Sequence, residues 1–417
     1  MLPDLIEIVP LPTPVSAVIT VPGSKSITNH ALVLAALAQG SVTLRGALWS
    51  EDTQIMVTAL QALGFAVEVQ PDPAETCNRT IRVVGQSGEI PNAGRPGQPL
   101  ELSVGNAGTA ARFLAALVCL GQGVYRLSGI DRMHKRPQAE LFRALRELGY
   151  RVDATGDFLP AEITGSGPRR GSCRVSSDES SQFASALLLC ASAGGWNITL
   201  TDDGAYVAMT RKLIAAFPKE SGEFQIEPDA SSASYFTAAG HLTGGSVKIT
   251  AFPTTDWQID SSFPKYLPLP DFISRQTDLG DSIMTTAVLA PFAGHPVKLK
   301  NLERLRVQEC ERVAALRTEL TKCGVSVTEE GQNLTIAPGG ATLHGAEIET
   351  YNDHRMAMCF AIFGLKIGGV KINNPACVKK TFPNFFQKLA SPPPSGLGAT
   401  ILDAAGRPLS AKQLFAG

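Results

Sequence analysis

Apolar residues along the chain fall into runs of helical period separated by shorter stretches that alternate between apolar and polar. Spacings of three and four residues predict helices over 31–37, 108–120, 138–148, 181–191, 208–217, 231–239, 282–290, 309–322 and 353–363. Alternation predicts strands over 42–45, 80–84, 198–201, 246–250, 297–299 and 370–372. Short strands interleaved with helices give an α/β (α+β) class.

One pattern recurs: a helical run, a glycine, then an alternating strand. It reads ALQALGFAVEV at 59–69, ALRELGYRVDA at 144–154 and ELTKCGVSVTE at 319–329, pivoting on Gly64, Gly149 and Gly324. Glycine suits a helix end because it takes the left-handed conformation without a Cβ penalty. The third pivot lies about twice as far from the second as the second does from the first. This predicts internal repetition of an α/β unit, with a blurred copy around 215–228.

Composition narrows the function. A chain of 417 residues with 44% hydrophobic and 18% charged positions is globular and long enough for two or more domains. Its net charge of -1 offers no basic field for nucleic acid or an anionic membrane, so neither is an expected partner. Anions must be held by local clusters of Lys and Arg. The first ten residues, MLPDLIEIVP, carry no targeting pattern, and the apolar runs near 31–38 and 113–120 are too short to span a bilayer. The eight cysteines include no CxxC pair, and several sit in apolar runs. They are expected to be buried free thiols in a cytoplasmic protein. No HExxH or Walker A motif appears, and no metal site is expected. After Leu389 the composition shifts to SPPPSG, so 391–417 is expected to be a Pro-rich linker and short tail.

Candidate chemistry lies where glycine or serine meets charge at a helix start. The stretches are GSKS (23–26), GNAGTAARF (105–113), DRMHKRP (131–137), ESSQFASALLL (179–189), LRVQECERVAAL (305–316), YNDHRMAM (351–358) and KKTFP (379–383). A helix N-terminus beside a lysine, as at Lys25, suits an anion because orphan N–H groups and the dipole both favour negative charge.

In their order along the chain these stretches, with EPDASSASYF (227–236) and NDHRMAMCF (352–360), resemble the 5-enolpyruvylshikimate-3-phosphate synthase family, the 3-phosphoshikimate 1-carboxyvinyltransferases of the shikimate pathway. The resemblance runs from about Val18 to Leu389. It implies two lobes, each of three βαβαββ repeats, closing on the substrates. Residues 23–227 would form an inserted lobe with the first donor and acceptor motifs. Residues 1–22 plus 228–390 would form the second, with Asp281, Glu309, Arg312, Arg355 and Lys380. The implied reaction moves the enolpyruvyl group of phosphoenolpyruvate to the 5-hydroxyl of shikimate 3-phosphate and releases phosphate, towards chorismate and the aromatic amino acids. It needs no cofactor. A monomer is expected, and glyphosate is implied as a donor mimic.

By the same resemblance, phosphoenolpyruvate would lie among Lys25, Asn106, Gly108, Thr109, Arg132, Gln182, Arg312, His354, Arg355 and Lys380. The acceptor would lie near Ser26, His30, Ser180, Ser181, Gln182, Tyr206, Asp281 and Gln308. Asp281 would take the acceptor hydroxyl proton, Glu309 would protonate C3, and Lys25 would stabilise charge. Clustered arginines make sense for a ligand with a carboxylate and a phosphate, since the guanidinium binds either one bidentately.

Four positions depart from the family pattern. His30 stands for an arginine that contacts the acceptor carboxylate, Gln308 for the lysine of LRVKE, and Phe113 for a proline. Asp203 falls where a serine often contacts the acceptor phosphate. The acceptor side therefore loses positive charge, with Arg304 and Arg306 as the neighbouring cations that could compensate. Two acceptors stay open: shikimate 3-phosphate, or a less anionic cyclic alcohol used by a diverged enolpyruvyl transferase. A sister family that uses UDP-N-acetylglucosamine carries an asparagine after the first lysine and a loop cysteine. Here Ser26 follows Lys25, and 129–137 holds no cysteine.

Overall fold

The computed structural model describes residues 2–416. The chain divides into two compact units, one running to Pro22 and again from Pro228, the other Gly23–Glu227. The discontinuous unit begins with β1 (Leu5–Ile8) and β2 (Ser16–Ile19). The inserted unit follows with α1 (Lys25–Leu37), β3 (Gln39–Leu48), α2 (Glu51–Ala62), β4 (Ala66–Pro71), β5 (Asn78–Gln86), β6 (Leu100–Gly105), α3 (Gly108–Leu117), β7 (Gln122–Gly129), α4 (Ala139–Glu147), β8 (Arg151–Ala154), β9 (Ala161–Ser166), β10 (Gly171–Val175), α5 (Ser181–Gly194), β11 (Trp196–Leu200), α6 (Ala205–Ala216) and β12 (Gly222–Gln225). The chain then returns with α7 (Ala230–Thr243), β13 (Ser246–Ile249), β14 (Phe272–Ser274), α8 (Ile283–Leu289), β15 (Val297–Lys300), α9 (Arg312–Lys322), β16 (Val327–Glu330), β17 (Asn333–Ile336), β18 (Glu347–Ile348), α10 (His354–Gly364), β19 (Val370–Asn373), α11 (Phe385–Ala390) and β20 (Ile401–Asp403).

Four sheets share one plan. Their orders are β6-β7-β9-β8, β12-β3-β5-β4, β14-β15-β17-β16 and β18-β19-β1-β20. In each, the first pair is parallel and the next two pairs are antiparallel. Two sheets are βαβαββ units contiguous in sequence. The other two borrow a strand from the far end of their unit: β12 joins β3, and β1 enters between β19 and β20. Parallel pairs β10·β11 and β2·β13 complete the set.

The three pivot glycines do the same job. Gly64, Gly149 and Gly324 have φ of 91°, 88° and 80°. In each case the next residue's N–H reaches back into the helix, Phe65 to Leu60, Tyr150 to Leu145 and Val325 to Leu320, at 3.0–3.1 Å. That left-handed cap turns the chain straight into the third strand of the sheet.

Two expectations are corrected. No copy of this turn exists at 215–228. There α6 runs into Pro218, which cannot extend a helix, and β12 becomes the parallel first strand beside β3. Nor is 391–417 a linker and tail. β20 pairs antiparallel with β1 (Ile6↔Asp403, Ile8↔Ile401), and Leu397, Ala399, Ile401 and Leu414 are buried. It takes the place that β4, β8 and β16 hold in their sheets, covering a β1 edge that would otherwise lie open.

Helices α3 and α10 are buried along their whole length. Such helices are apolar on every side, so the arginines on them stand out: Arg112 on α3 and Arg355 at the start of α10. All eight cysteines are buried and free. Among the described residues no helix is long and apolar enough to cross a membrane.

Candidate active-site residues of the two units

In the inserted unit, α1 starts at Lys25 behind an N-cap from Ser24, whose hydroxyl accepts from Ile27 N. Lys25 Nζ lies 3.4 Å from the buried carboxylate of Asp52. Helix α3 starts at Gly108 with no side-chain cap. Two guanidiniums converge there. A Cβ built on Gly108 would come within 2.4 Å of Arg112 Nη1 and 2.6 Å of Arg136 Nη2, so only glycine leaves them room. Arg112 donates to Gln182 Oε1 (3.3 Å) and to the Pro137 carbonyl (2.8 Å), and Arg136 donates to the Asn106 carbonyl (3.2 Å). Gln182 in turn donates to Thr109 Oγ1 at 3.1 Å, tying the start of α5 to the start of α3.

Arg112 and Arg136 are only 2% and 6% exposed, and Arg136 Nε has no hydrogen-bond partner among the described residues. Two buried cations at an uncapped helix N-terminus have the chemistry to hold an anion. Within DRMHKRP it is Arg136 that reaches Gly108. Arg132 precedes a short 3-10 turn over Met133–Lys135, which carries the chain round so that Arg136 points at α3. Arg112 was legible in principle, four residues beyond Gly108 on the same helix face.

His30 lies inside the helical layer of the inserted unit. It is 1% exposed, and both ring nitrogens are taken: Nδ1 lies 2.6 Å from the Ser26 carbonyl and Nε2 lies 2.8 Å from Thr210 Oγ1. A carbonyl only accepts, so Nδ1 carries the proton. Burial pushes the imidazole down to about 4, against the bond to Ser26, which favours the charged form. The ring is therefore neutral at pH 7 and cannot replace a guanidinium. Thr210 is also 2.7 Å from Ser185 Oγ, so the imidazole links α1, α5 and α6. Those helices carry Ser26, Ser181 and Gln182, and Tyr206. Ser180 caps α5 by accepting from Gln182 N. Asp203 is exposed, 3.8 Å from Arg211.

In the discontinuous unit the charges interlock. Asp281 Oδ2 is 2.9 Å from Arg355 Nη2. Its Oδ1 is 3.0 Å from Arg275 Nη2 and 3.9 Å from Arg312 Nη1. Burial alone would raise the Asp281 carboxyl, but Arg355, Arg275 and Arg312 together hold it well below the usual carboxylate range. Arg312 also binds Glu309 Oε2 (2.9 Å) and Asp353 Oδ2 (2.7 Å). Asp353 caps α10 through Arg355 N, and Arg355 Nη1 donates to Tyr235 OH at 3.2 Å. Lys380 is buried at the end of a 3-10 segment, and His354 is buried in the first turn of α10.

The turn that presents Asp281 is held by Asp260, which sequence reasoning missed. Its carboxylate accepts from Gly280 N (2.6 Å), Ser282 N (3.2 Å) and Ser282 Oγ (2.6 Å), clamping both neighbours of Asp281. Helix α9 starts at Arg312, not at the expected 309. Glu311 is its N-cap and accepts from Ala314 N, which leaves Gln308 and Glu309 on the preceding loop. Gln308 accepts from Arg312 Nη1, a bond that orients the guanidinium. Arg306 cannot compensate for the lost lysine, because Glu311 and Glu329 hold it at 3.0 and 2.7 Å.

The fold is that of the enolpyruvyl transferases. It matches EPSP synthase from Acinetobacter baumannii at a TM-score of 0.76 over 96% of this chain and all of that one, with 21% identity. It also matches the enolpyruvyl transferase NikO from Streptomyces tendae at 0.69 over 95% of this chain and 98% of that one, with 17% identity. The chain belongs to the EPSP synthase (3-phosphoshikimate 1-carboxyvinyltransferase) family, whose model matches residues 9–265 and 275–389. It is 38% identical to the 3-phosphoshikimate 1-carboxyvinyltransferase of Nostoc punctiforme over 92% of this chain and 98% of that protein. It is 40% identical to that of Opitutus terrae over 94% and 98%.

Proposed function

We propose that the chain transfers the enolpyruvyl group of phosphoenolpyruvate to the 5-hydroxyl of shikimate 3-phosphate, with release of phosphate. Relatives of that name, aligned over almost their full length, support the acceptor, and a different cyclic alcohol is not favoured. The observation that carries the chemistry is Asp281 held ionised among three guanidiniums, with Glu309 sharing Arg312.

Each unit by itself offers cations suited to the donor's carboxylate and phosphate: Arg112, Arg136 and Lys25 with the Gly108 end of α3 in the inserted unit, and Arg312, Arg355 and Lys380 in the discontinuous unit. Asp281, surrounded by arginines, is by itself a weak base. As the donor's anionic groups engage Arg312 and Arg355, those cations support Asp281 less and its basicity rises. Asp281 then takes the 5-hydroxyl proton as the oxygen attacks C2 of the donor. Glu309 relays a proton to C3, giving a tetrahedral phosphoketal. The Glu309 carboxylate takes a proton back from C3 as the C2–O bond to phosphate breaks, which completes the transfer. The cations stabilise the departing phosphate without having to reorganise.

The test is phosphate release from phosphoenolpyruvate with shikimate 3-phosphate and a panel of less anionic cyclic alcohols. Turnover with shikimate 3-phosphate at the highest kcat/KM is expected. Higher kcat/KM for another alcohol would overturn the acceptor. Glu309→Gln and Asp281→Asn should each lower kcat on the order of 10²-fold.

A further inference from the structure

Arg275 belongs to none of the expected sites, yet it touches the carboxylate on which the reaction turns. It follows β14 directly, with its backbone N–H bonded to the Lys300 carbonyl at 3.0 Å. That bond fixes its Cα beside β15. Its side chain is 13% exposed and reaches Asp281 Oδ1 through Nη2 at 3.0 Å. Asp281, at 28%, is the more open of the two.

The other two guanidiniums around Asp281 are spent elsewhere: Arg312 on Glu309 and Asp353, Arg355 on Tyr235. Among the described residues, Asp281 is the one carboxylate that Arg275 pairs with. Its Nε is buried with no hydrogen-bond partner among the described residues. Buried donors are rarely left unpaired, and a guanidinium nitrogen beside a reacting carboxylate suits an anionic ligand group. The planar fork of arginine matches a carboxylate or phosphate. Residues 266–274, immediately before it, fall between the two segments that the family model matches.

We propose that Arg275 is an acceptor-binding residue, its free guanidinium edge holding the anionic group of the cyclic alcohol whose hydroxyl faces Asp281. It would supply positive charge beside Asp281, where the neutral Gln308 supplies none. The inference rests on the enolpyruvyl-transfer reading and adds the residue that discriminates among acceptors.

Steady-state kinetics of the full-length wild type, Arg275→Ala and Arg275→Lys, with phosphoenolpyruvate and shikimate 3-phosphate varied separately, test it. In Arg275→Ala the KM for shikimate 3-phosphate should rise about tenfold or more while that for phosphoenolpyruvate stays within about twofold. Arg275→Lys, which keeps the charge and loses the fork, should fall between. The unchanged donor KM also shows that the variant is folded. An acceptor KM equal to wild type in Arg275→Ala, or equal rises for both substrates, would overturn the inference alone. Absence of turnover in the wild type would instead overturn the functional reading, and the inference with it.

Discussion

His30 and Phe113 meet edge to face, with ring centroids 4.7 Å apart at 81°. Both stand where the family pattern has something else, an arginine and a proline, so the two departures are in contact. The pair makes a closed ring contact where a guanidinium would need a polar outlet.

Restoring the arginine should fail. In His30→Arg a permanent charge enters a site already closed by Phe113, Tyr206 and the Thr210 hydroxyl. The loss should be about 3 kcal/mol or more of folding stability, with no gain in acceptor use. Urea unfolding midpoints alongside kcat/KM for shikimate 3-phosphate decide it. A variant as stable as wild type with better acceptor kinetics would show that the imidazole is not locked inside.

Acid should loosen the inserted unit through the same residue. The folded imidazole sits at about 4 and an unfolded one near 6.5. Between those values the unfolded chain binds the extra proton. The stabilisation is full above about pH 6.5 and is lost as pH falls towards 4, amounting to roughly 3 kcal/mol. Wild type and His30→Gln compared by denaturant unfolding from pH 7.5 to 4.5 should show a steeper acid loss in wild type. Parallel curves would exclude His30 as the group responsible.

The two arginines of DRMHKRP should separate cleanly. Arg136→Ala removes a buried cation facing Gly108 and should weaken phosphoenolpyruvate by roughly 1.5–3 kcal/mol, about 10- to 150-fold in KM. Arg132→Ala should cost much less. Donor KM values for both variants are the measurement, and a larger effect at Arg132 would return the donor site to the residue expected from the motif.

Asp260 should matter for catalysis without touching substrate. Asp260→Asn keeps the shape but weakens the bonds that hold Gly280 and Ser282 on either side of Asp281. A drop in kcat on the order of 10²-fold is expected from a misplaced base, with the phosphoenolpyruvate KM little changed. Wild-type kcat in this variant would mean that the turn holds itself.

What the sequence determined by itself is what short-range physics controls. Helical period marked most helices to within a few residues. The same helix–glycine–strand pattern marked three turns that adopt one left-handed cap, since a glycine after a helix needs nothing from the rest of the chain. The order of the motifs carried the family. Tertiary structure alone decided matters that turn on partners distant in sequence. His30 is a neutral bridge because Thr210, on another helix, takes its second nitrogen. Arg136 reaches Gly108 because the 3-10 turn after Arg132 brings it back to the start of α3. Asp281 is ionised because Arg275, Arg312 and Arg355 arrive from three separate segments. β20 is a strand because the chain's first strand has an edge to pair, and no local signal in a proline-rich stretch reports an edge nearly 400 residues away. Burial and pairing set charge state and role, and both depend on contacts that no window along the sequence contains.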